Sequence, residues 1–212
     1  MKKYGLGCVG VVALLIAFTL IAGCGGYNRL VKLSQGADAQ WAQVQSQYQR
    51  RADLIPNLVQ TVSGAANFEK ETLADVVKAR ASVGQVQLNA NQSPNNTEQL
   101  QRFEQAQNDL GSALSRLLVV VERYPELKAN ANFRDLQAQL EGTENRIAVE
   151  RMRFNDITRQ YNTAIKKVPA VFYAGALGFK EKPYFAATPG SETPPKVQFD
   201  FGKQTSAPAK GP

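Results

Sequence analysis

Apolar residues recur at alternating steps of three and four along the first part of the chain, beginning at Tyr27. Every position on this stripe is apolar or aromatic except Ser34 and Arg51. Such heptad spacing is typical of a long helix whose apolar stripe packs along partner helices. The stripe consists of Tyr27, Leu30, Ser34, Ala37, Trp41, Val44, Tyr48, Arg51, Ile55, Leu58, Val62 and Ala65.

Two further apolar stripes follow, over residues 100–124 and 133–168. The predicted helices end before Pro125 and Pro169, because the residue before a proline is pushed out of the helical region. No run of alternating residues typical of a strand accompanies these stripes. The predicted fold class is therefore all-α, an antiparallel bundle of three to four long helices.

The predicted starts of the later helices rest on capping residues. Thr97 and Asn132 are predicted to cap the helices that contain the stripes over residues 100–124 and 133–168. Asn67 is predicted to cap another helix, which begins at Phe68 and fades near Gln87. Spacing alone leaves open whether that helix is separate or a bent continuation of the first.

Pro56 lies inside the first predicted helix, which covers residues 27–66. Proline removes one backbone hydrogen bond, and its ring clashes with the preceding turn. The sequence thus predicts a continuous helix that bends near residues 53–55.

The N-terminus has the pattern of an export signal. Lys2 and Lys3 precede an uncharged run over residues 4–28 with a strongly apolar centre. The small residues before Cys24 resemble the lipobox of bacterial lipoproteins, which implies cleavage before Cys24 and acylation of that cysteine. An uncleaved transmembrane helix is the alternative, because about 20 apolar residues suffice to span a bilayer. Both anchors place the rest of the chain on the extracytoplasmic side, in the periplasm or at the cell surface, because the lysines favour the inner side.

The C-terminal end changes composition. From Thr188 onward Pro, Gly, Ser, Thr and Lys dominate, so a disordered tail is predicted over residues 187–212. An alternating apolar pattern at residues 197–201 fits a strand added to a partner's sheet edge, although chance explains it more simply. The predicted organisation is an anchor over 1–26, a helical bundle over 27–186 and the tail.

The chain lacks common catalytic groups. It contains no histidine, the usual general base at neutral pH and the commonest metal ligand. Cys8 and Cys24 both lie in the N-terminal segment, which excludes a disulfide framework and a thiolate zinc site. Paired acids such as Glu69 and Glu71 have the spacing of solvated helix faces, and neither a nucleophile elbow nor a phosphate-binding glycine loop occurs. We predict that the protein is not an enzyme and needs no cofactor.

The basic balance bears on partners. The formal net charge is +7, and cleavage before Cys24 would remove Lys2 and Lys3. An exported chain does not meet nucleic acid, so an anionic membrane surface or wall polymer is the more sensible counterpart. Charges of both signs are mixed along the chain, which is also typical of an ordinary solvated surface.

Six stretches in the same order along the chain carry a family resemblance. They cover residues 27–31, 41–44, 49–59, 140–148, 161–165 and 179–185. Together they resemble the LemA family over residues 27–186. The resemblance implies an all-helical bundle behind an N-terminal membrane segment in a bacterium, and it implies no biochemical activity. The lipobox-like Cys24 departs from members that have a plain membrane helix.

Polar residues that interrupt the apolar stripes are the candidates for a special site. If the first and last helices are antiparallel with Tyr27 near Val168, Arg51 lies opposite residue 144. We predict that Arg50 or Arg51 contacts Glu141 or Glu144, shielded from water, because a charge on an apolar stripe needs a partner. The predicted polar layer comprises Arg50, Arg51, Asp53, Glu141, Glu144, Asn145 and Arg146.

This layer has two interpretations. It fixes the register of the helices in a membrane-anchored scaffold that holds an unknown protein partner. Alternatively, Arg51 and Glu144 form the pocket of a ligand-binding module. An open hydrophobic groove would favour the scaffold, and a concave cavity reaching Arg51 would favour the ligand-binding module.

Overall fold

The computed structural model of the chain describes residues 2–65, 68–86 and 92–186, with side chains from Gly25 onward. Within these ranges it is all-helical and contains no strand. The five α-helices are α1 (Lys2–Ser63), α2 (Lys70–Gln85), α3 (Thr97–Val121), α4 (Pro125–Ala129) and α5 (Ala131–Lys166), followed by a 3₁₀ turn at Ala170–Phe172. Cys24 and the predicted tail over 187–212 lie outside the described side chains.

Helix α1 continues through Pro56 without a break and ends at Ser63, next to Gly64. The following helix α2 is a separate element that begins at Lys70, two residues later than predicted. Asn67, the predicted cap, is outside the described residues, and Glu69 occupies the N-cap position without a side-chain hydrogen bond.

Two predicted caps are wrong by one or two residues. Asn96, not Thr97, caps α3 and accepts a hydrogen bond from the Glu98 amide at 2.8 Å. Asn130, not Asn132, caps α5 and accepts one from the Phe133 amide at 3.2 Å. The short helix α4 was predicted as a connector. Because α4 ends at Ala129, Asn130 has the extended backbone that an N-cap requires.

The predicted α1 stripe is buried from Leu30 to Val62, except at Ser34, which is half-buried. Its main neighbour is α5, which runs in the opposite direction: Gln40 donates to Glu150, and Gly36 lies against Ile157. Helices α2 and α3 pair with each other and cover the C-terminal half of α1.

Three apolar clusters follow one another along α1. The first surrounds Leu30, the second Trp41, and the third Leu58. Trp41 is fully buried, with Phe103, Phe154 and Phe185 at 5.6 to 5.9 Å between ring centroids. Aromatic rings at such separations favour offset or edge contacts, which fix side-chain orientation as well as burying area. A polar side chain of α1 lies between each two successive clusters, the half-buried Asp38 and the buried Arg51.

No helix formed by the described residues is long and apolar enough to cross a membrane.

Candidate functional site

Arg51 forms a buried polar layer between the Trp41 and Leu58 clusters. Only 3% of Arg51 is exposed. Its guanidinium donates to the Glu144 carboxylate at 2.5 Å, to the Gln107 carbonyl at 3.2 Å, and to the Gln107 side-chain oxygen. It also lies over the Tyr48 ring, 5.2 Å from the centroid. A planar guanidinium with several donors suits such a fan of acceptors.

The contact between Arg51 and Glu144 is the one that antiparallel register predicts. The layer contains fewer residues than predicted, however, and is less shielded from water. The Glu144 side chain is 47% exposed. The other predicted members lie on the surface: Arg50, Asp53, Glu141, Asn145 and Arg146 are all exposed. They point away because each is offset by one or more residues from the stripe that faces the core. Gln107 replaces them, a residue that interrupts the α3 stripe.

A second buried polar cluster, which the sequence pattern does not predict, separates the Leu30 and Trp41 clusters. The Lys182 ammonium is 3.1 Å from Asp38 Oδ1 and also donates to the Ser93 hydroxyl. The same carboxylate oxygen accepts from the Ser93 hydroxyl at 2.6 Å and the Ser93 amide at 2.9 Å. The Lys182 and Asp38 side chains are 4% and 15% exposed. This Asp38 cluster joins α1, the loop before α3, and the segment after α5.

Electrostatics favour the charged carboxylate in this cluster. Burial alone raises the pKa of Asp38, but the hydrogen bonds from Ser93 and the nearby Lys182 together outweigh it, so the pKa lies below its ordinary value. Burial, followed by the Asp38 charge, raises the pKa of Tyr161, whose ring lies 5.6 Å from the Lys182 ammonium. The ionised Asp38 is therefore a structural partner of Lys182.

The Asp38 cluster has little room for chemistry. Ser93 and Lys182 are residue types that can form a nucleophile and its base. Here the Ser93 hydroxyl donates to Asp38, and Lys182 donates to both of them. Ser93 is 1% exposed, so a substrate cannot reach its oxygen. The three side chains are hydrogen-bonded to one another, and the cluster connects three parts of the chain.

Two asparagines on α5 hold the C-terminal segment against the helices. Asn162 donates to the Lys182 carbonyl at 2.8 Å and accepts from its amide at 3.0 Å. Asn155 likewise donates to the Phe185 carbonyl at 3.0 Å and accepts from the Phe185 amide at 2.9 Å. Seven residues of helix rise about 10.5 Å, and three extended residues span about 10 Å, so the two spacings match. Each asparagine amide thus satisfies both backbone groups of an extended residue.

We expect Asn162→Ala to lower the free energy of unfolding by about 2 kcal/mol, because the buried Lys182 amide and carbonyl lose their partners. Asn155→Ala should cost about half as much, because Asn155 is only half-buried. Urea unfolding followed by Trp41 fluorescence measures both. The matched control is Asn145→Ala, an exposed asparagine on the same helix. Equal effects of Asn162→Ala and Asn145→Ala would contradict the pairing.

A third ionic contact lies beside the second asparagine. Arg151 donates to Glu104 at 2.7 Å and to the Ala186 carbonyl at 3.2 Å, and stacks on the Phe185 ring at 4.6 Å. Burial, the largest influence, raises the pKa of Glu104, and Arg151 opposes it. The segment 182–186 therefore has charged contacts at both ends. It closes the side of the Trp41 cluster that α3 leaves uncovered.

Two clefts on the surface bear on ligand or partner binding. One, of about 650 Å³, lies between α2 and α3 and combines Val119 and Val120 with Glu69, Asp75 and Arg116. The other, of about 400 Å³, is lined by Tyr48, Phe103 and Gln107 among others. The second cleft reaches Gln107, the partner of Arg51, but Arg51 itself is not among its lining residues.

Comparison with known proteins decides the family. The profile of the LemA family matches residues 40–199, about three-quarters of the chain. The chain belongs to the LemA family. The match begins later and ends later than the resemblance over 27–186, and it includes Trp41, Arg51, Ser93, Glu144 and Lys182. Both buried polar layers therefore lie within the family's domain, apart from Asp38, two residues before it.

Three magnetosome proteins are similar to this LemA-family chain. Magnetosome protein MamQ of Magnetospirillum gryphiswaldense is 28% identical over 187 residues, covering 79% of this chain and 67% of the relative. MamQ 1 and MamQ 2 of Paramagnetospirillum magneticum are each 28% identical over 184 residues, with the same coverage.

Proposed function

We propose that this LemA-family protein is a membrane-anchored, extracytoplasmic scaffold without enzymatic activity, in which an antiparallel helical bundle holds a protein partner. The continuity of α1 carries the proposal. One helix continues without interruption from the N-terminal segment, which contains Cys24, into the central stripe of the core up to Val62. A single helix of this kind transmits the position of its anchor directly to the domain.

The buried polar groups support a structural role. Arg51 and Lys182 each connect three separate parts of the chain, through the two Nη atoms of Arg51 and the ammonium of Lys182. Buried polar groups of this type specify which helices meet and in which register. The similar magnetosome proteins are named for a cellular structure and not for a reaction, which fits the same role.

A ligand-binding module is the second candidate, favoured by the cleft of about 400 Å³ that reaches Gln107. The scaffold fits better, because the Arg51 guanidinium is engaged by Gln107 and Glu144 and does not line that cleft. The larger cleft between α2 and α3 is open and partly apolar, as expected of a surface that holds a partner.

Fractionation and protease access test the proposal. The full chain should remain with membranes after carbonate extraction, and protease added to intact spheroplasts should degrade the domain after residue 26. Release by carbonate would contradict the anchor, and full protection from protease would contradict the extracytoplasmic side.

Site-specific photocrosslinking tests the partner. A photoreactive residue at Val119, which is 70% exposed in the larger cleft, should give a defined adduct in membranes. The matched control is Met152, which is 60% exposed on α5. Identical adduct patterns at the two positions would argue against a partner bound in the cleft.

The type of anchor is tested by Cys24→Ser. If Cys24 is acylated, this change should abolish lipid labelling and leave uncleaved precursor, because the modified sulfur is lost. Cys8→Ser is the matched control and should change neither. Labelling and processing that are unchanged in Cys24→Ser would contradict acylation of Cys24. A wild-type chain that is neither labelled nor cleaved would instead support an uncleaved transmembrane helix.

A further inference from the structure

The turn after α5 exposes apolar side chains at one end of the molecule. Ala170 and Ala174 face inward against Leu30 and Tyr161. Their neighbours face outward, and Phe172 is 80% exposed. The exposed apolar residues of the turn are Val168, Val171, Phe172 and Leu177. Soluble surfaces rarely display a group of large apolar side chains without a partner.

The position of this turn relative to α1 indicates what it meets. Tyr173 packs directly on Gly26, where a Cβ would collide with its hydroxyl group. The Tyr27 and Phe179 rings are in edge contact at 5.7 Å. At 1.5 Å per residue, Gly26 lies only about 3 Å along the helix from Cys24. The turn is therefore level with the end of the uncharged run over 4–28.

Positive charges surround the apolar residues. Arg29, Lys32, Lys167 and Lys180 are exposed at this end, while Lys166 pairs with Glu181 at 2.8 Å. A cleft of about 230 Å³ beside the turn is lined by Arg29, Arg159 and Lys167. Arg29 comes from α1, Arg159 from α5, and Lys167 directly follows α5. Arg159 also contacts Asp156. Cations around an apolar group are the usual pattern of a surface that contacts anionic lipid.

We propose that residues 168–177 insert into the headgroup region of the membrane that holds the N-terminal segment, with the surrounding cations binding anionic phospholipid. This inference rests on the proposed membrane anchor, and holds for both anchor types because both bring the bilayer surface to Cys24. The turn is then a second point of contact beside α1. Two contacts on adjacent helices fix the tilt of the domain relative to the membrane, which a single helix cannot do.

Tryptophan quenching tests this contact in the full chain. Trp41 is the single tryptophan, is fully buried, and lies about 22 Å above Gly26 along α1, so it supplies a constant background. The Phe172→Trp variant is reconstituted in vesicles of equal parts phosphatidylcholine and phosphatidylglycerol, with or without brominated acyl chains. The added tryptophan should lose about half its emission to bromine, as expected 5–10 Å into the interface. The control Val119→Trp, at an exposed position on α3, should lose none beyond wild type.

The outcomes separate this inference from the proposed function. Quenching of Phe172→Trp that falls about two-fold in vesicles of phosphatidylcholine alone supports contact with anionic lipid. Equal quenching in both lipid mixtures would overturn the anionic assignment. If the chain floats with the vesicles but Phe172→Trp is quenched no more than Val119→Trp, the contact is refuted while the anchor stands. A chain that does not float with vesicles would refute both.

Discussion

Asp38→Asn is expected to lower the free energy of unfolding by about 3–5 kcal/mol at neutral pH, the usual cost of leaving a buried charge without its partner. The Lys182 ammonium, 4% exposed, would lose its counter-ion while remaining enclosed by Ser93 and Tyr161. Urea unfolding of the full chain in mild detergent, followed by Trp41 fluorescence, measures the loss. Trp41 is one helical turn from Asp38 and reports on this part of the core.

The reciprocal change should cost less. In Lys182→Met the Asp38 carboxylate keeps both hydrogen bonds from Ser93 and retains some contact with water. The double variant should resemble Lys182→Met, because no unpaired ammonium remains. Asp53→Asn, an exposed aspartate on the same helix, is the matched control and should change stability by less than about 0.5 kcal/mol. Additive losses in the double variant would contradict a buried ion pair.

Acid should remove part of this stabilisation in the unmodified chain. The folded pKa of Asp38 lies below the ordinary value of 3.8, so the unfolded chain binds the proton more readily. The stabilisation is thus fully present above about pH 3.8 and disappears as the pH falls through the folded pKa. Stability measured across this window should fall more steeply in wild type than in Asp38→Asn. Parallel curves would show that Asp38 does not contribute.

Heptad spacing predicted the parts of the fold that depend on one helix or on two aligned helices. A charge on an apolar stripe must turn toward the core, which identifies Arg51 from the sequence alone. Antiparallel pairing then set the height of Glu144, because both helices rise by the same amount per residue. The predicted layer contains too many residues, because the neighbours of Arg51 in sequence face different directions around the helix.

The Asp38 cluster could not be found in this way. Asp38 stands one position after Ala37 on the stripe, where a polar residue is normally solvated, and its ion-pair partner is 144 residues away. Lys182 lies in a segment outside the helices, whose course has no helical period. One signal was present: Asn155 and Asn162 are seven residues apart, each directly after an aromatic stripe position. Asparagine is unfavourable inside helices unless its side chain has a partner.

The Asp38 cluster and the Arg51 layer each fix the alignment of different segments against α1. Apolar stripes alone allow helices to slide by a heptad, because successive layers of leucine, valine and isoleucine resemble one another. The Asp38 cluster fixes the C-terminal segment and the loop before α3 at one height of α1. Arg51 fixes α3 and α5 at another. The three apolar clusters then have one alignment in which Lys182 meets Asp38 and Ser93 while Arg51 meets Gln107 and Glu144.

Arg51→Met is expected to destabilise the chain by about 3 kcal/mol, because the buried Gln107 side chain and carbonyl lose their donor. Glu144→Gln should cost only about 1 kcal/mol, since the carboxylate is 47% exposed and the guanidinium keeps Gln107. A double-mutant cycle on this pair should therefore give a coupling energy near 1 kcal/mol, well below that of a fully buried pair. Arg50→Met, at the adjacent exposed position, is the control and should be nearly neutral. A coupling energy of several kcal/mol would show that Glu144, and not Gln107, is the principal partner of Arg51.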